Sequence, residues 1–282
     1  MTTQTALRTR PLMPEFGAEI LDVDVASADA ATLARIVDVF NASGLILLRK
    51  QRLDKAQLVA FTSAFGDPAE NTREEYTDPE YPKVYVISNK VVNNRAIGQH
   101  DDHHGWHSDL ATAQRPALCT LLQALEVPDE GSDTLVADMC GALRALPAER
   151  QQEFMNYRVH QSFVEMRRVR GLNVTQEEMD AFPDVFHPMV RRHPVDGRKA
   201  LFLGSMAVGI KGLPNPQGRE LLKELQDFAT QERFTYRHKW QVGDVLIWDN
   251  RMTLHTGTSY DMKKYTRHMH RTWVRGEVPL AA

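Results

Sequence analysis

The chain has 282 residues, with 34 lysines and arginines against 37 aspartates and glutamates, for a formal net charge of −3 at pH 7. This balance argues against a general nucleic-acid-binding protein, and the two cysteines, Cys119 and Cys140, argue against a disulfide scaffold or a thiolate zinc site. A polar first segment and the shortness of the apolar runs argue against a signal peptide and a membrane span, so we expect a cytoplasmic protein.

In the first half of the chain, apolar residues at helical spacing alternate with short apolar runs that are typical of buried strands. These patterns predict, in order, a helix over 31–42, a strand over 45–48, a helix over 54–65 and strands over 84–87 and 118–125. Asp54 is the expected N-cap of the second helix. The segment 89–109 is rich in histidine, aspartate and asparagine, which predicts a loop of the kind that often carries functional residues.

In the second half of the chain, an irregular segment lies between helices and a series of strands. The patterns predict a helix over 147–157, a strand over 200–203, a helix that begins at 215, and strands over 233–238, 244–248 and 267–274. The segment 165–195, with its prolines and a polar helix around Glu177, is expected to be an insertion. Helices followed by many short strands predict a mainly β protein with flanking helices, a sandwich or jelly roll, in a single domain over 1–282.

The segment Trp106-His107-Ser108-Asp109 contains two side chains that could ligate a metal, His107 and Asp109. They point to the same side if the chain is extended there, because side chains alternate along a strand. A third ligand must come from elsewhere, and His255, which follows a predicted strand and turn, is the leading candidate. Two histidines and one carboxylate are the ligand set of non-haem iron oxygenases. Alone, however, the His-x-Asp spacing is more often a solvated loop pair.

Five motifs in order resemble those of the taurine dioxygenase and phenoxyacetate-herbicide dioxygenase family. They are Trp106-His107-x-Asp109, Gly131-Ser132-Asp133-Thr134, Val190-Arg191-Arg192-His193-Pro194, Trp248-Asp249-Asn250-Arg251 with His255, and Arg267-His268-Met269-His270-Arg271. The segment 236–244 looks closest to the herbicide-degrading branch. The resemblance implies a double-stranded β-helix, or jelly roll, and a dioxygenase that uses Fe(II), 2-oxoglutarate and O2, with His107, Asp109 and His255 as the metal ligands.

The resemblance also implies roles for other polar residues. Thr134 and Arg267 match the positions that bind the distal carboxylate of 2-oxoglutarate, which a planar guanidinium can hold through two parallel hydrogen bonds. Arg271 matches the arginine that binds the substrate's own anionic group, so the substrate is expected to be a small anion. The polar loop 100–104 is expected at the mouth of the pocket, and His103 is its first candidate for a contact with substrate.

The favoured activity is hydroxylation of an aryloxyalkanoate ether, with release of succinate and CO2. A sulfonate, a sulfate ester or another carboxylate is the alternative substrate for the same chemistry. Two other classes stay open: a zinc-dependent hydrolase in which the same ligands activate water, and a non-catalytic jelly-roll binding protein. No nucleic-acid or membrane partner is expected, and assembly into a homo-oligomer is compatible with the sequence.

Overall fold

Two mainly antiparallel sheets form the centre of the protein. The structure, a computed structural model, describes residues 6–71, 74–100 and 105–282, so His103 lies outside the described residues. The larger sheet consists, in spatial order, of β1 (Thr9–Pro11), β2 (Ala18–Ile20), β3 (Leu45–Leu48), β15 (Val245–Asp249), β7 (Ala117–Glu126), β17 (His268–Arg275) and β4 (Tyr85–Ser88). The second sheet consists of β14 (Thr235–His238), β8 (Thr134–Asp138) and β16 (Thr253–Gly257).

Smaller sheets and helices surround these two sheets in the described part of the chain. The smaller sheets are β10 (Val185–Pro188), β9 (Arg158–Gln161) and β13 (Ala207–Ile210); β12 (Lys199–Leu201), β11 (Val190–Arg192) and β18 (Leu280–Ala281); and β5 (Val91–Val92) with β6 (Arg95–Ala96). The α-helices are α1 (Ala30–Ser43), α2 (Lys55–Thr62), α3 (Met139–Arg144), α4 (Ala148–Phe154), α5 (Phe163–Val169), α6 (Gln176–Ala181) and α7 (Asn215–Ala229). Short 3-10 helices span Val25–Ser27, Glu74–Tyr76 and Glu232–Phe234.

The larger sheet is covered on both faces, which explains the unbroken apolar run of β3. Leu45 and Leu47 share a core cluster with Val136 of the second sheet, whereas Ile46 and Leu48 pack with apolar residues of α1 and α2. Because successive side chains of a strand point to opposite faces, a strand covered on both sides needs an apolar residue at every position. The predicted buried strand is therefore confirmed, and its bounds match β3.

The second sheet separates a core cluster on its outer side from the interior between the two sheets. Ala137 of β8 and Leu254 of β16 belong to the outer cluster, together with residues of α3 and α7. Their neighbours Val136 and His255, which pair across the two strands, therefore face the interior. One end of this interior collects polar side chains, and that is where the candidate site lies.

The fold predicted from the sequence, mainly β with flanking helices in a jelly roll, is confirmed. Gly44 ends α1 with φ of 72°. Asp54 is the N-cap of α2, as expected, and forms a capping box with Gln57. The segment 165–195 contains part of α5, all of α6 and the strands β10 and β11, and α6 is the polar helix expected around Glu177. None of the described helices has both the length and the apolar character that crossing a membrane requires.

Candidate active site

His107 and His255 are held side by side by their own backbones. The N–H of His107 donates to the carbonyl of His255 at 2.9 Å, and the N–H of His255 donates back at 2.8 Å, so the two residues form an isolated antiparallel bridge. Their ring centroids lie 4.2 Å apart, and the ring of Trp248 lies 4.5 Å from that of His255 on another side. Two residues that are 148 positions apart in the chain (255 − 107) are thereby adjacent in space.

Asp109 completes a group of three potential ligands, as the sequence predicted. Its Oδ1 lies 3.9 Å from Nε2 of His107, and its Oδ2 lies 3.7 Å from Nε2 of His255. Ligand atoms of all three residues lie within 4.8 Å of one another, and within the described ranges no other group of three His, Cys, Asp or Glu residues meets this condition. The structure therefore brings together the three residues on which the sequence hypothesis depends.

The protonation states of these residues suit a divalent metal. Nδ1 of His107 lies 2.8 Å from the carbonyl oxygen of Gly105, which can only accept, so Nδ1 carries the proton and the lone pair of Nε2 is left for a metal. Burial alone would raise the pKa of Asp109. The neighbouring His255, Arg271 and His107 and the hydrogen bond from Thr120 outweigh burial and hold that pKa below its usual range, so the carboxylate is ionised. Two imidazoles and an ionised carboxylate fit Fe(II).

A cleft opens beside the two histidines, and it is lined by the three residues that were predicted to bind the cosubstrate or the substrate. Its walls are formed by Ile87, His107, Leu122, Thr134, Trp248, His255, Thr256, Gly257, Arg267 and Arg271. Thr134 lies directly across from Gly257 in the pairing of β8 with β16, and a glycine Cβ there would meet no atom within 4 Å. Gly257 therefore contributes backbone but no side chain to the cleft wall beside Thr134.

The hydroxyl of Thr134 is oriented by a residue that the sequence interpretation did not single out. Nε1 of Trp240 donates a hydrogen bond to Oγ1 of Thr134 at 3.1 Å. Because an indole N–H can only donate, Oγ1 must accept this bond, and the hydroxyl proton is left for another acceptor. Trp240 lies in the segment that resembles the herbicide-degrading branch, but nothing in the sequence indicates which atom it contacts.

The two arginines lie on the cleft side of the larger sheet. Arg267 is 8% exposed, and its backbone N–H donates to Oδ1 of Asn89 at 2.8 Å. Nη1 of Arg271 lies 3.7 Å from Oδ1 of Asp109, and its guanidinium lies over the ring of Tyr85, 4.6 Å from the centroid. Tyr85 was not identified from the sequence, since its aromatic ring could equally have belonged to the core.

Three residues of the recognised motifs, His193, Asp249 and Arg251, do not line the cleft. Nε2 of His193 lies 3.0 Å from Oδ2 of Asp249, and Asp249 also receives two hydrogen bonds from the Arg251 guanidinium, at 2.8 and 2.7 Å. These three residues are buried. They form a charged group at the end of β15 rather than part of the metal centre.

Comparisons with known proteins identify the family to which the chain belongs. The profile of the "Taurine catabolism dioxygenase TauD, TfdA family" matches residues 8–273. The chain is 35% identical to an alpha-ketoglutarate-dependent 2,4-dichlorophenoxyacetate dioxygenase of Cupriavidus pinatubonensis, over 89% of this chain and 92% of that protein. It is 28% identical to an alpha-ketoglutarate-dependent sulfate ester dioxygenase of Pseudomonas putida, over 97% and 91% of the two chains.

A solved structure is also similar over nearly its whole length. The crystal structure of AAD-2 in complex with Mn(II) and N-oxalylglycine superposes with a TM-score of 0.84 at 30% identity, covering 98% of this chain and 99% of that one. The oxygenase class expected from the sequence is thereby confirmed over the hydrolase and the binding protein. The chain belongs to the TauD/TfdA family of dioxygenases, which depend on Fe(II), 2-oxoglutarate and O2.

Proposed function

We propose that residues 1–282 form one catalytic domain that hydroxylates a small anionic substrate, with an aryloxyalkanoate favoured. The observation that carries the proposal is that Thr134, Arg267 and Arg271 line the same cleft as His107 and His255. Two guanidinium groups beside a metal centre can each bind a separate anion. The cosubstrate would take one and the substrate the other.

In this proposal His107, Asp109 and His255 hold Fe(II), which when bound supplies the activation of O2. Arg267 grips the distal carboxylate of 2-oxoglutarate, and the Thr134 hydroxyl, whose proton is left available by Trp240, donates to the same group. The overall reaction places one oxygen atom of O2 in succinate and the other in the hydroxylated substrate, while 2-oxoglutarate loses CO2. The protein contributes the positions of the two organic reactants and an enclosed site.

Arg271 is the residue that would bind the substrate anion. Its side chain is 24% exposed, and its nearest carboxylate oxygen, at 3.7 Å, is beyond hydrogen-bond range. Its Nε is buried and has no hydrogen-bond partner among the described residues. A partly exposed guanidinium that lies over an aromatic ring and lines a cleft is a suitable receptor for a carboxylate or a sulfonate.

The aryloxyalkanoate preference depends on the cleft walls and on similarity. Ile87, Leu122 and Trp248 add apolar surface beside Arg271, and an aryl group needs such surface while its carboxylate needs the cation. Hydroxylation of the carbon between the ether oxygen and the carboxylate gives a hemiacetal, which separates into a phenol and an oxo acid. The similarity to a 2,4-dichlorophenoxyacetate dioxygenase supports this substrate class.

The alternative is a sulfonate, a sulfate ester or a different carboxylate. The similarity to a sulfate ester dioxygenase favours it, and Arg271 could bind any of these anions. A panel of aryloxyacetates, alkyl sulfonates and alkyl sulfates, each scored by succinate release, distinguishes the classes. A released phenol supports the first, whereas sulfite or sulfate supports the alternative.

The metal assignment is tested by replacing the ligands. His255→Ala and Asp109→Ala should abolish succinate formation and the visible absorption band that forms when Fe(II) and 2-oxoglutarate are added without oxygen. His160→Ala is the matched control, because His160 lies on the separate strand β9 and pairs with Asp184. This variant should keep both succinate formation and the absorption band. Turnover by the His255 or Asp109 variant would contradict the assignment.

A further inference from the structure

Asp109 belongs to a closed ring of hydrogen bonds with two buried residues that lie outside the cleft lining. The hydroxyl of Thr120 donates to Oδ2 of Asp109 at 2.6 Å. The backbone N–H of Asp109 donates to Oδ1 of Asn250 at 3.0 Å, and Nδ2 of Asn250 donates to Oγ1 of Thr120 at 3.0 Å. Thr120 is fully buried and Asn250 is 1% exposed, so the ring is shielded from solvent.

The chemistry of the donors fixes every hydrogen in this ring. A backbone N–H can only donate, so the oxygen of the Asn250 amide must face Asp109 and its NH2 must face Thr120. The Thr120 oxygen accepts from that NH2, which leaves its single proton for Asp109. The ring can therefore present only a donor to the Asp109 carboxylate, which suits the ionised form that a metal requires.

The ring is anchored in one strand and in one turn, neither of which contains a metal ligand. Thr120 lies in β7, and Asn250 follows β15 in the turn that leads to β16 and His255. The backbone N–H of Asn250 donates to the carbonyl of Leu118 at 2.9 Å, and the hydroxyl of Ser108 donates to the carbonyl of Asn250 at 2.8 Å. The turn that positions His255 thus also holds the segment of His107 and Asp109.

We propose that Thr120 and Asn250 are positioning residues that fix the plane of the Asp109 carboxylate toward His107 and His255. The inference rests on the proposed function, because it assigns these residues to the metal centre of that reaction. Without the Thr120 hydroxyl, the carboxylate is free to rotate about its Cβ–Cγ bond. Arg271, whose Nη1 is already 3.7 Å away, would then attract it, and this ion pair would remove both a ligand from the metal and a cation from the substrate.

The experiment measures metal binding rather than turnover. Thr120→Val keeps the shape of the side chain and removes the hydroxyl, whereas Thr120→Ser keeps the hydroxyl. Thr62→Val is the matched control, since Thr62 is equally buried and its hydroxyl also makes hydrogen bonds, to Leu58 and Thr272 on the other side of the sheet. The affinity for Fe(II) with 2-oxoglutarate is titrated without oxygen from the visible absorption band.

The Thr120→Val substitution should weaken metal binding about 10-fold or more, the usual effect of losing a partner of a metal ligand, while Thr120→Ser and Thr62→Val bind as the wild type does. Thr120→Ala, which fits without steric demand, gives the same test if Thr120→Val does not fold. The loss in a Thr120→Val, Asn250→Ala double variant should not exceed that of the more affected single variant, because both act through one carboxylate.

Each failure has a separate meaning. If the wild type itself forms no band with Fe(II) and 2-oxoglutarate, the proposed function is wrong. If the wild type binds and Thr120→Val binds equally well, only the positioning role is wrong. Equal losses in Thr120→Val and Thr62→Val would also overturn the inference, because any buried hydroxyl would then have the same effect.

Discussion

Arg271 gives the sharpest test of which arginine binds which anion. Replacing it with Gln keeps a polar side chain in the cleft and removes the charge. We expect the KM for the primary substrate to rise strongly, while the KM for 2-oxoglutarate changes little, because Arg267 and Thr134 remain in place on the cleft wall. Arg267→Gln should show the reverse pattern.

The size of the effect follows from the contacts of the guanidinium. The Arg271 guanidinium lies over Tyr85 at 4.6 Å, so its side chain is already restricted and loses little freedom when an anion binds. A hydrogen bond to a charged group contributes about 1.5–3 kcal/mol. Since 1.4 kcal/mol corresponds to about tenfold in an equilibrium constant, the loss should be about 10- to 150-fold.

The assay is succinate release at varied substrate and at varied 2-oxoglutarate, with Arg275→Gln as the control. Arg275 lies at the end of the same strand, its side chain is 55% exposed, and it pairs with Asp67 rather than with the cleft. Equal rises in both KM values for Arg271→Gln would show that the two arginines have been assigned the wrong anions. A comparable rise in the KM for the primary substrate in Arg275→Gln would show that the rise in Arg271→Gln comes from the loss of a positive charge anywhere on the strand.

Three further variants test other parts of the structure. Trp240→Phe removes the donor to Thr134 and should weaken 2-oxoglutarate binding about 2- to 10-fold, while metal binding stays unchanged, as measured by titration. Equal losses of 2-oxoglutarate binding and of metal binding would contradict a role of Trp240 in 2-oxoglutarate binding alone. Ile46 is fully buried between the sheet and the helices, so Ile46→Ala should lower the free energy of unfolding, measured in urea, by about 2–5 kcal/mol. A loss below about 1 kcal/mol would contradict the packing described. Burial would raise the pKa of Asp249, but Arg251 and His193 hold it below its usual range, so its contribution to stability is present at neutral pH and lost as the pH falls below the ordinary aspartate range. The Asp249→Asn protein should therefore be less stable than the wild type at pH 7 and should lose less further stability on acidification, as measured by thermal unfolding at a series of pH values. Unfolding temperatures of the two proteins that fall in parallel with pH would contradict this expectation.

How much of the site the sequence could predict depends on where each residue lies. The strand Leu45–Leu48 could be predicted from the sequence because a strand that is buried on both faces is apolar at every position. The strands β8 and β16, which carry Thr134 and His255, were not predicted as strands. Three of their inward positions hold the cleft residues Thr134, His255 and Gly257 instead of apolar ones, so the alternation that indicates a strand is interrupted where the site is built.

Thr120 shows the other limit of sequence reasoning. It is a polar residue inside an apolar run, and the run correctly predicted the strand β7. A buried hydroxyl needs a partner, but nothing local indicates that the partner is a carboxylate 11 residues away, at 2.6 Å. The motif residues, by contrast, were found because their order along the chain resembles that of a known family.

The segment Trp248-Asp249-Asn250-Arg251 explains why a motif without any ligand can indicate a metal site. The ring of Trp248 packs against His255, and Asn250 accepts a hydrogen bond from the backbone N–H of Asp109, so two of its residues support two different ligands. Asp249 accepts hydrogen bonds from Arg251 and occupies the opposite side of the turn, where a buried ion pair is stable only if both charges are present. A change in this pair should therefore move the turn as a unit, and with it both His255 and the hydrogen bond to Asp109. For this reason we expect Asp249→Asn to lower metal affinity as well as stability, although Asp249 contacts no ligand, and unchanged metal affinity in a folded Asp249→Asn protein would show that the turn keeps its place without the ion pair.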